Sequence, residues 1–458
     1  MSDEAKVKGS LHFRQALLPS GWAPNVRLTV EDGLITAIAV NQLPRQGDTR
    51  LAVGLPGMPN LHSHAFQRGM AGLAETRGPG DDSFWTWREV MYRFADRIDA
   101  EQLRAIAALA YIEMLESGFT RVGEFHYVHH DGSGAAFANP AEMTQAIVAA
   151  AAETGIALTH LPVFYAHSGF GGIDPSHAQR RFVHDIESFA RLIDAATKAV
   201  SPLPDAIVGI APHSLRAVTP EELRMLEQLA GETPIHIHIA EQLREVEDCV
   251  QWSGARPVAW LLDNMPVDGR WCLVHATHVS DEEAIAFGRS GAVAGLCPIT
   301  EANLGDGIFP AEAFLAVGGR FGVGSDSNVL VDMTEELRLL EYGQRLNRRS
   351  RNILASGPGA STGQAVFQAA HIGGSRALGV EGGLRVGNAA DIISLDDNHP
   401  SLFGRQGGTL LDSFLFASGK AAIDTVWRRG EEVVSAGRHR ARDFVVARYR
   451  MVLEALVA

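Results

Sequence analysis

The chain has 458 residues, of which 46% are hydrophobic and 21% are charged, a composition typical of a folded protein with a large core. Forty basic against 54 acidic residues give a formal net charge of −14, which argues against a nucleic-acid-binding protein, because such proteins usually present a basic face. No apolar stretch approaches the ~20 residues that span a bilayer, and the polar N-terminus lacks a secretory signal. Three scattered cysteines without CxxC spacing fit a reducing compartment. We therefore expect a cytoplasmic protein that binds neither nucleic acid nor membranes.

The first patterned segment is residues 25–40, in which apolar and polar side chains alternate around Asp32-Gly33. Alternation of this kind is typical of a half-buried strand, and an Asp-Gly pair favours the tight turn between two antiparallel strands. We therefore predict that the N-terminal part of the chain, residues 1–56, is a β-structure.

From residue 57 onwards, short apolar runs alternate with polar loops and with segments of helical periodicity. The segment at 220–229 follows Thr219, which forms a capping-box pattern with Glu222. Eight strand–helix units predict a parallel (β/α)₈ barrel of the TIM type over residues 57–380. An open doubly wound sheet is the alternative, but the chain has no GxGxxG turn. The eight apolar runs cover residues 57–64, 120–127, 157–165, 206–214, 234–241, 271–278, 292–300 and 321–327.

The C-terminal part of the chain returns to the strand pattern. Residues 390–395 and 425–434 both have it, and the second run turns at Arg429-Gly430. Strand-rich segments on both sides of a barrel predict one small β-sandwich domain built from both termini. Its C-terminal share is residues 381–458, which include a terminal helix.

Paired histidines occur at two of the predicted strands. His62 and His64 flank a single residue at the end of the first run, and a strand places positions i and i+2 on the same side. The fifth run repeats this pattern with His236 and His238. Since active sites of barrels form at the C-terminal ends of strands, His238 is the better placed of the second pair, and His236 is expected to be an ordinary residue of the barrel interior.

Two further strand ends carry residues of the kind that bind metals. The sixth run contains His275 near its end, and Asp326 ends the apolar part of the eighth. A buried carboxylate must be paired, hydrogen-bonded or bound to a metal. Zinc prefers imidazole and carboxylate ligands, and a catalytic site leaves one position open for water. The sequence therefore predicts a zinc site with the ligands His62, His64, His238 and Asp326.

Acid–base chemistry is expected beside this site. Glu241 follows His238 by three residues and is placed to take a proton from the attacking water and pass it to a leaving group. His275 is placed to stabilise the attacking hydroxide or the tetrahedral centre. We therefore predict Glu241, His275 and Asp326 as the catalytic residues.

The sequence favours one metal ion over two. A binuclear site of this type needs a bridging ligand, commonly a carbamylated lysine at the end of a middle strand. None of the lysines of this chain stands at the end of a predicted barrel strand, and the third and fourth strands end without a Glu. The lysines are Lys6, Lys8, Lys198 and Lys420.

Polar residues near the same strand ends suggest what the substrate carries. Several arginines facing one pocket favour an anionic substrate, because the guanidinium fork matches a carboxylate. Any single arginine is more often a surface ion-pair residue, so each assignment needs further support. The residues predicted to bind the substrate are Gln67, Arg88, Tyr127, His213 and Arg216.

At these residues the chain resembles the amidohydrolase superfamily and, within it, the formimidoylglutamate deiminases. The superfamily pattern is Pro56-Gly57 before His62 and His64, followed by His238, His275 and Asp326. The segment 383–391 resembles the superfamily's return into the β-domain. The narrower resemblance rests on residues 60–73, 83–93, 124–130, 213–220, 300–310 and 335–346.

The resemblance implies a metal-dependent iminohydrolase that converts N-formimino-L-glutamate to N-formyl-L-glutamate and ammonia in histidine degradation. It implies one Zn²⁺ per subunit, with iron as another possible metal, a small dicarboxylate as substrate, and a homodimer. It also supports Arg88 and Arg216 as residues that bind the two carboxylates of the substrate.

Three other functions compete with this one. The first is a deaminase of the same superfamily that acts on another amidine or on an aminated ring, which would favour aromatic stacking over paired arginines. The second is a binuclear amidase or lactamase, and the third is a catalytically inactive scaffold.

One residue departs from the family pattern. Asn328 stands two residues beyond Asp326, where members commonly have His, and it bears either on the support of the metal ligands or on substrate choice.

Overall fold

The computed structural model describes residues 8–80 and 82–457 of the chain. Residues 1–7, which the sequence assigns to the β-domain and which include Lys6, lie outside the described residues, as do residues 81 and 458. The strands form two separate sheets. The strands are β1 (Lys8–Leu18), β2 (Gly21–Glu31), β3 (Leu34–Ala39), β4 (Thr49–Pro56), β5 (Met58–Ser63), β6 (Phe119–His126), β7 (Ala157–Phe164), β8 (Ile207–Val208), β9 (Ala211–Pro212), β10 (Ile235–Ile239), β11 (Trp271–His275), β12 (Val293–Leu296), β13 (Arg320–Val323), β14 (Ile392–Leu395), β15 (Ile423–Arg428), β16 (Glu431–Ser435) and β17 (Arg438–His439).

Helices follow most of the barrel strands. The predicted capping box is confirmed at Thr219, whose Oγ1 accepts a hydrogen bond from the amide of Glu222 at 3.2 Å while the Glu222 carboxylate accepts from the Thr219 amide at 2.7 Å. No helix in the described part of the chain is long and apolar enough to cross a membrane. The α-helices are α1 (Phe84–Ala95), α2 (Ala100–Glu116), α3 (Glu142–Thr154), α4 (Ile186–Val200), α5 (Pro220–Ala230), α6 (Leu243–Ser253), α7 (Pro257–Asn264), α8 (Asp281–Ser290), α9 (Pro298–Leu304), α10 (Ala311–Ala316), α11 (Met333–Arg348), α12 (Thr362–Ala377), α13 (Gly407–Ser413) and α14 (Arg442–Val457).

The larger sheet is the predicted parallel barrel. Its strands follow the order β10-β11-β12-β13-β5-β6-β7-β8, and β9 also pairs with β7. The fourth predicted run is not one strand, because it pairs only in two short pieces, β8 and β9. Isolated parallel bridges from Ile210 to Ile235 and from Ser214 to His238 join this run to β10. These bridges close the barrel, so the carboxyl ends of all eight runs surround one mouth.

The second sheet combines both ends of the chain, as predicted. Its strand order is β17-β16-β15-β14-β4-β1-β2-β3, one continuous hydrogen-bonded sheet of eight strands. The predicted hairpin turns occur at Asp32-Gly33 and Arg429-Gly430, where all four residues have positive φ. Side chains from both halves, such as Phe13 and Leu28 with Ile392, form a hydrophobic core separate from that of the barrel.

Candidate active site

Four predicted residues meet at the C-terminal mouth of the barrel. His62 lies on β5 and His64 just after it, His238 lies on β10, and Asp326 follows β13. Nε2 of His62 is 3.2 Å from Nε2 of His64 and 3.1 Å from Nε2 of His238. Oδ1 of Asp326 is 3.4 Å from Nε2 of His62 and 3.2 Å from Nε2 of His64. These four side chains are buried, and their donor atoms all lie within 4.8 Å of one another.

Backbone hydrogen bonds determine which ring nitrogens face this cluster. Nδ1 of His64 donates to the carbonyl of Phe125 at 2.8 Å, and Nδ1 of His238 donates to the carbonyl of His213 at 3.0 Å. The Nε2 atoms of His64 and His238 therefore both present lone pairs to Nε2 of His62, which can donate at most one proton, whereas a cation would be attracted to both. Ligand atoms of a tetrahedral zinc ion, each ~2.1 Å from the metal, are ~3.4 Å apart, so the observed spacing fits such an ion.

The protonation states agree with metal binding. Burial and the neighbouring imidazoles lower the pKa of His62 to about 3 and hold the pKa of His238 well below its usual value. Burial alone would raise the pKa of Asp326, but the nearby rings of His62, His64 and His275 hold it well below its usual value. Neutral imidazole and ionised carboxylate are the forms that bind metals.

His275 lies beside the cluster, between three carboxylates. Its Nε2 is 3.8 Å from Oε1 of Glu241 and 3.8 Å from Oδ2 of Asp326, and its Nδ1 is 3.3 Å from Oε1 of Glu301. Burial alone would lower the pKa of His275, but these carboxylates raise it to about 10. Burial raises the pKa of Glu241 to about 7, with Asp326 adding to the rise and His275 opposing it. Glu241 is thus a buried acid or base without a place in the four-residue cluster.

Glu301 is a site residue that the sequence analysis did not identify. It lies on α9, where its Oε1 also accepts a hydrogen bond from the amide of Cys297 at 2.9 Å. This bond fixes the carboxylate that contacts His275. The only local signal was an acidic residue in the first turn of a short helix, which is a common feature of helices without any role in a site.

The predicted substrate-binding residues and three residues of the cluster line one cavity. Nε2 of Gln67 donates to the hydroxyl of Tyr127 at 2.8 Å. Helix α1 covers this cavity with Trp87, Arg88 and Met91. The predicted residues that line the cavity are Gln67, Arg88, Tyr127, His213, Arg216, His64, His238, Glu241, His275 and Asp326.

Arg216 is the most unusual charge in this cavity. It is 8% exposed, its Nε has no hydrogen-bond partner, and no carboxylate of the described residues lies within 4.0 Å of its guanidinium. Burial alone would lower its pKa, but Glu245, Tyr165 and Glu241 raise it from a distance, without a direct ion pair to either carboxylate. The cavity therefore holds a positive charge that an anionic ligand would neutralise.

The backbone is strained where it carries the site. Ala240, His275, Asp326 and Asn328 have φ values of 51°, 66°, 45° and 54°, in the left-handed region that non-glycine residues seldom adopt. All four follow or end barrel strands at the mouth. Strain of this kind concentrates at functional sites, where the surrounding contacts hold it.

Residues outside the cluster also have definite places. His236 faces the barrel interior, where its Nε2 donates to the carbonyl of Ala377 at 2.8 Å. The described lysines lie away from the mouth: Lys8 is on β1, Lys198 is on α4, and Lys420 is in the short helix Gly419–Ala422.

Asn328 does not line the substrate cavity. It is fully buried, and its Nδ2 donates to the hydroxyl of Ser63 at 3.1 Å and to the carbonyls of His64 and Asp326 at 3.1 and 3.0 Å. The side chain therefore ties the loop that carries Asp326 to the end of β5. Of the two alternatives that the sequence leaves open, the contacts favour support of the ligands.

A closed parallel barrel with three histidines and an aspartate at its mouth defines the class of metal-dependent barrel hydrolases. The comparisons with known proteins place the chain within that class. Residues 53–433 match the amidohydrolase family, and residues 10–52 match the N-terminal domain of the formimidoylglutamate deiminase HutF. The chain belongs to the amidohydrolase family, whose members are metal-dependent.

Individual relatives cover almost the whole chain. It is 50% identical over 453 residues to a formimidoylglutamate deiminase from Pseudomonas aeruginosa, a match that covers 98% of this chain and 99% of the relative. An 8-oxoguanine deaminase from the same organism is 28% identical over 447 residues, covering 94% and 95%. The crystal structure of an amidohydrolase from Brucella melitensis superposes with a TM-score of 0.96 at 53% identity, covering 98% and 100%.

Proposed function

We propose that the protein hydrolyses N-formimino-L-glutamate to N-formyl-L-glutamate and ammonia, a step of histidine degradation. The observation that carries this proposal is the buried, unpaired guanidinium of Arg216 beside Arg88, in the same cavity as the histidine and aspartate cluster. A substrate with two carboxylates and one amidine-like group provides both a counter-ion and a reacting carbon. The 50% identity to a formimidoylglutamate deiminase supports the same assignment.

The metal is proposed to be zinc, one ion per chain, held by His62, His64, His238 and Asp326. The donor set of three neutral imidazoles and one carboxylate suits zinc, and iron is a second metal that this set accepts. When bound, such an ion acts as a Lewis acid and lowers the pKa of water, so that hydroxide is available near neutral pH.

Glu241 is proposed to move the protons of the reaction. A carboxyl group whose pKa is raised to about 7 can accept a proton from the attacking water and donate it again to the departing nitrogen. The positive charge of the formimino group makes its carbon electrophilic. His275, held by Glu301, is placed to stabilise the oxygen that adds to this carbon.

The arginines are proposed to orient the substrate. Arg88 and Arg216 each bind one carboxylate, which holds the reacting carbon toward Glu241 and His275. Gln67, Tyr127 and His213 complete the cavity wall and provide polar contacts to the same molecule.

The test is ammonia release by purified protein after zinc loading, with N-formimino-L-glutamate, guanine and cytosine in parallel assays. We expect rapid release from the first compound alone, with N-formyl-L-glutamate as the product identified by mass spectrometry. Release from a ring substrate instead, with N-formimino-L-glutamate inert, would overturn the proposal and favour a ring deaminase.

A further inference from the structure

A second cleft opens beside the substrate cavity, at the outer side of Arg88 and Arg216. Both arginines line the inner cavity and this cleft, which has a volume of about 450 Å³. The cleft adds Trp85 on α1 and Arg244 on α6, neither of which lines the inner cavity. Arg88 and Arg216 therefore form the boundary between the two spaces, and a ligand in the cleft would be in contact with both.

Three guanidinium groups surround the ring of Trp85. The central carbon of Arg88 is 4.5 Å from the ring centroid, that of Arg244 is 5.0 Å away, and that of Arg216 is 5.8 Å away. The electron-rich face of an indole attracts cations, so Trp85 holds like charges together that would otherwise repel.

The positive charge of the cleft is only partly balanced. Among the described residues that line it, Asp248 is the single carboxylate, against three arginines. Oδ2 of Asp248 is 3.7 Å from Nε of Arg244, and the two side chains are 46% and 66% exposed, so this contact is a weak surface pair. The lining thus has a net charge of about +2, which matches a dicarboxylate.

The rest of the molecule repels such a ligand, because the chain as a whole has a formal net charge of −14. A local positive cleft in a negative protein focuses the field and raises the rate at which anions arrive. We propose that the cleft is an outer anion-binding subsite, in which Arg244 and Trp85 receive a dicarboxylate before it passes to Arg88 and Arg216. This inference rests on the proposed function, which supplies the dicarboxylate.

Arg244 then acts on the capture of substrate and not on the chemical step. Replacing it with Gln is expected to lower kcat/KM about 5-fold to 10-fold at low ionic strength, because electrostatic capture depends on the local charge. The value of kcat should change less than about twofold. At an ionic strength of about 0.5 M the difference in kcat/KM should nearly vanish, because salt screens exposed charges.

The experiment compares kcat/KM for N-formimino-L-glutamate across a salt series in four proteins: wild type, Arg244→Gln, Arg244→Lys and Arg440→Gln. Arg244→Lys keeps the charge and should retain most of the wild-type value. Arg440 pairs with Glu431 on the surface of the β-domain, so Arg440→Gln makes the same charge change away from the cleft and should match wild type.

Binding of glutarate, measured by calorimetry, gives a readout that needs no turnover, and Arg244→Gln should weaken it at low salt only. The wild-type protein could fail to turn over N-formimino-L-glutamate and still bind glutarate in a way that depends on salt and on Arg244. That result would count against the proposed function and support the subsite. Arg244→Gln with wild-type kcat/KM and wild-type glutarate affinity would overturn the subsite. A loss of kcat/KM in Arg244→Gln that is equally large at low and at high salt would also overturn the subsite.

Discussion

At the scale of single residues, the site separates metal binding from proton transfer. Glu241 contacts His275 at 3.8 Å but does not belong to the four-residue cluster, whereas His238 does. We expect Glu241→Gln to retain bound metal and to lose about 10²–10⁴-fold in kcat, the usual contribution of a general acid–base group. His238→Ala should lose the metal itself. Elemental analysis of the metal content and an ammonia-release assay check both variants. Near-normal turnover in Glu241→Gln would refute the role of Glu241.

Glu301 contacts His275 from the side opposite Glu241, at Nδ1 of the ring. Because its carboxylate faces Nδ1 of His275, we expect it to orient that ring, and it does not belong to the cluster of His62, His64, His238 and Asp326. Glu301→Gln should lower kcat about 10-fold to 100-fold, the range typical of groups that orient site residues, and leave metal content unchanged. The KM should stay near the wild-type value, since Glu301 does not line the substrate cavity. A variant with normal kcat would show that the contact does not position His275.

At the scale of secondary-structure elements, Asn328 connects the end of β5 to the loop after β13. In Asn328→Asp, an acceptor replaces the donor that now faces the carbonyls of His64 and Asp326. We expect a loss of about 2–3 kcal/mol in the free energy of unfolding, the cost of leaving buried polar groups unsatisfied. Metal affinity should fall as well, while the choice of substrate should not change.

Urea unfolding and zinc titration measure these effects. Asn352→Asp is the matched control, because the side chain of Asn352 is exposed and accepts a hydrogen bond from Arg345 through its oxygen. Unfolding of Asn328→Asp at the wild-type urea concentration would contradict the account. A changed substrate preference with unchanged stability would instead assign Asn328 to specificity.

The barrel was predictable because each strand is a short apolar run followed by polar residues, and because the carboxyl ends of parallel strands meet at one mouth. The zinc-type cluster followed from that rule. Glu301 did not, because it lies on α9 and reaches His275 only through tertiary packing. The sequence also could not predict that the run 206–214 divides into β8 and β9, because an apolar pattern does not show which backbone groups form hydrogen bonds.

At the scale of the whole molecule, buried histidines set the response to acid. Five buried histidines form one cluster, in which the ring centroids of neighbouring residues are 4.5–5.7 Å apart: His126, His129, His130, His160 and His184. Burial, with the neighbouring charges, lowers the pKa of both His126 and His184 to about 3. Asp185 opposes the shift at His184, while His130 and Arg191 add to it.

The sign of the effect follows from these shifts. Below the unfolded-state pKa of about 6.5, an unfolded chain binds protons at His126 and His184 that the folded protein does not bind. The stability that these two residues contribute is therefore complete above that pH and falls as the pH decreases toward about 3. Each such histidine should remove about 2 kcal/mol from the free energy of unfolding between pH 7 and pH 5. His184→Asn should reduce the acid-induced loss by about that amount.

Urea unfolding at the two pH values measures this change. His177→Asn replaces an exposed histidine outside the cluster and should leave the acid-induced loss as in wild type. A loss in His184→Asn equal to that of wild type would contradict the assignment of acid sensitivity to the cluster.

We propose that the protein selects its substrate through Arg88 and Arg216, each of which binds one carboxylate of N-formimino-L-glutamate. The most direct measurement is kcat/KM for N-formimino-L-glutamate against its neutral diamide, with ammonia release as the readout. Loss of two charge-assisted contacts predicts a preference of about 10²–10⁴-fold for the dicarboxylate. In a variant with both Arg88→Met and Arg216→Met, this preference should disappear, because kcat/KM for the dicarboxylate falls to the value for the diamide. Equal kcat/KM for the two compounds in the wild-type protein would contradict the account.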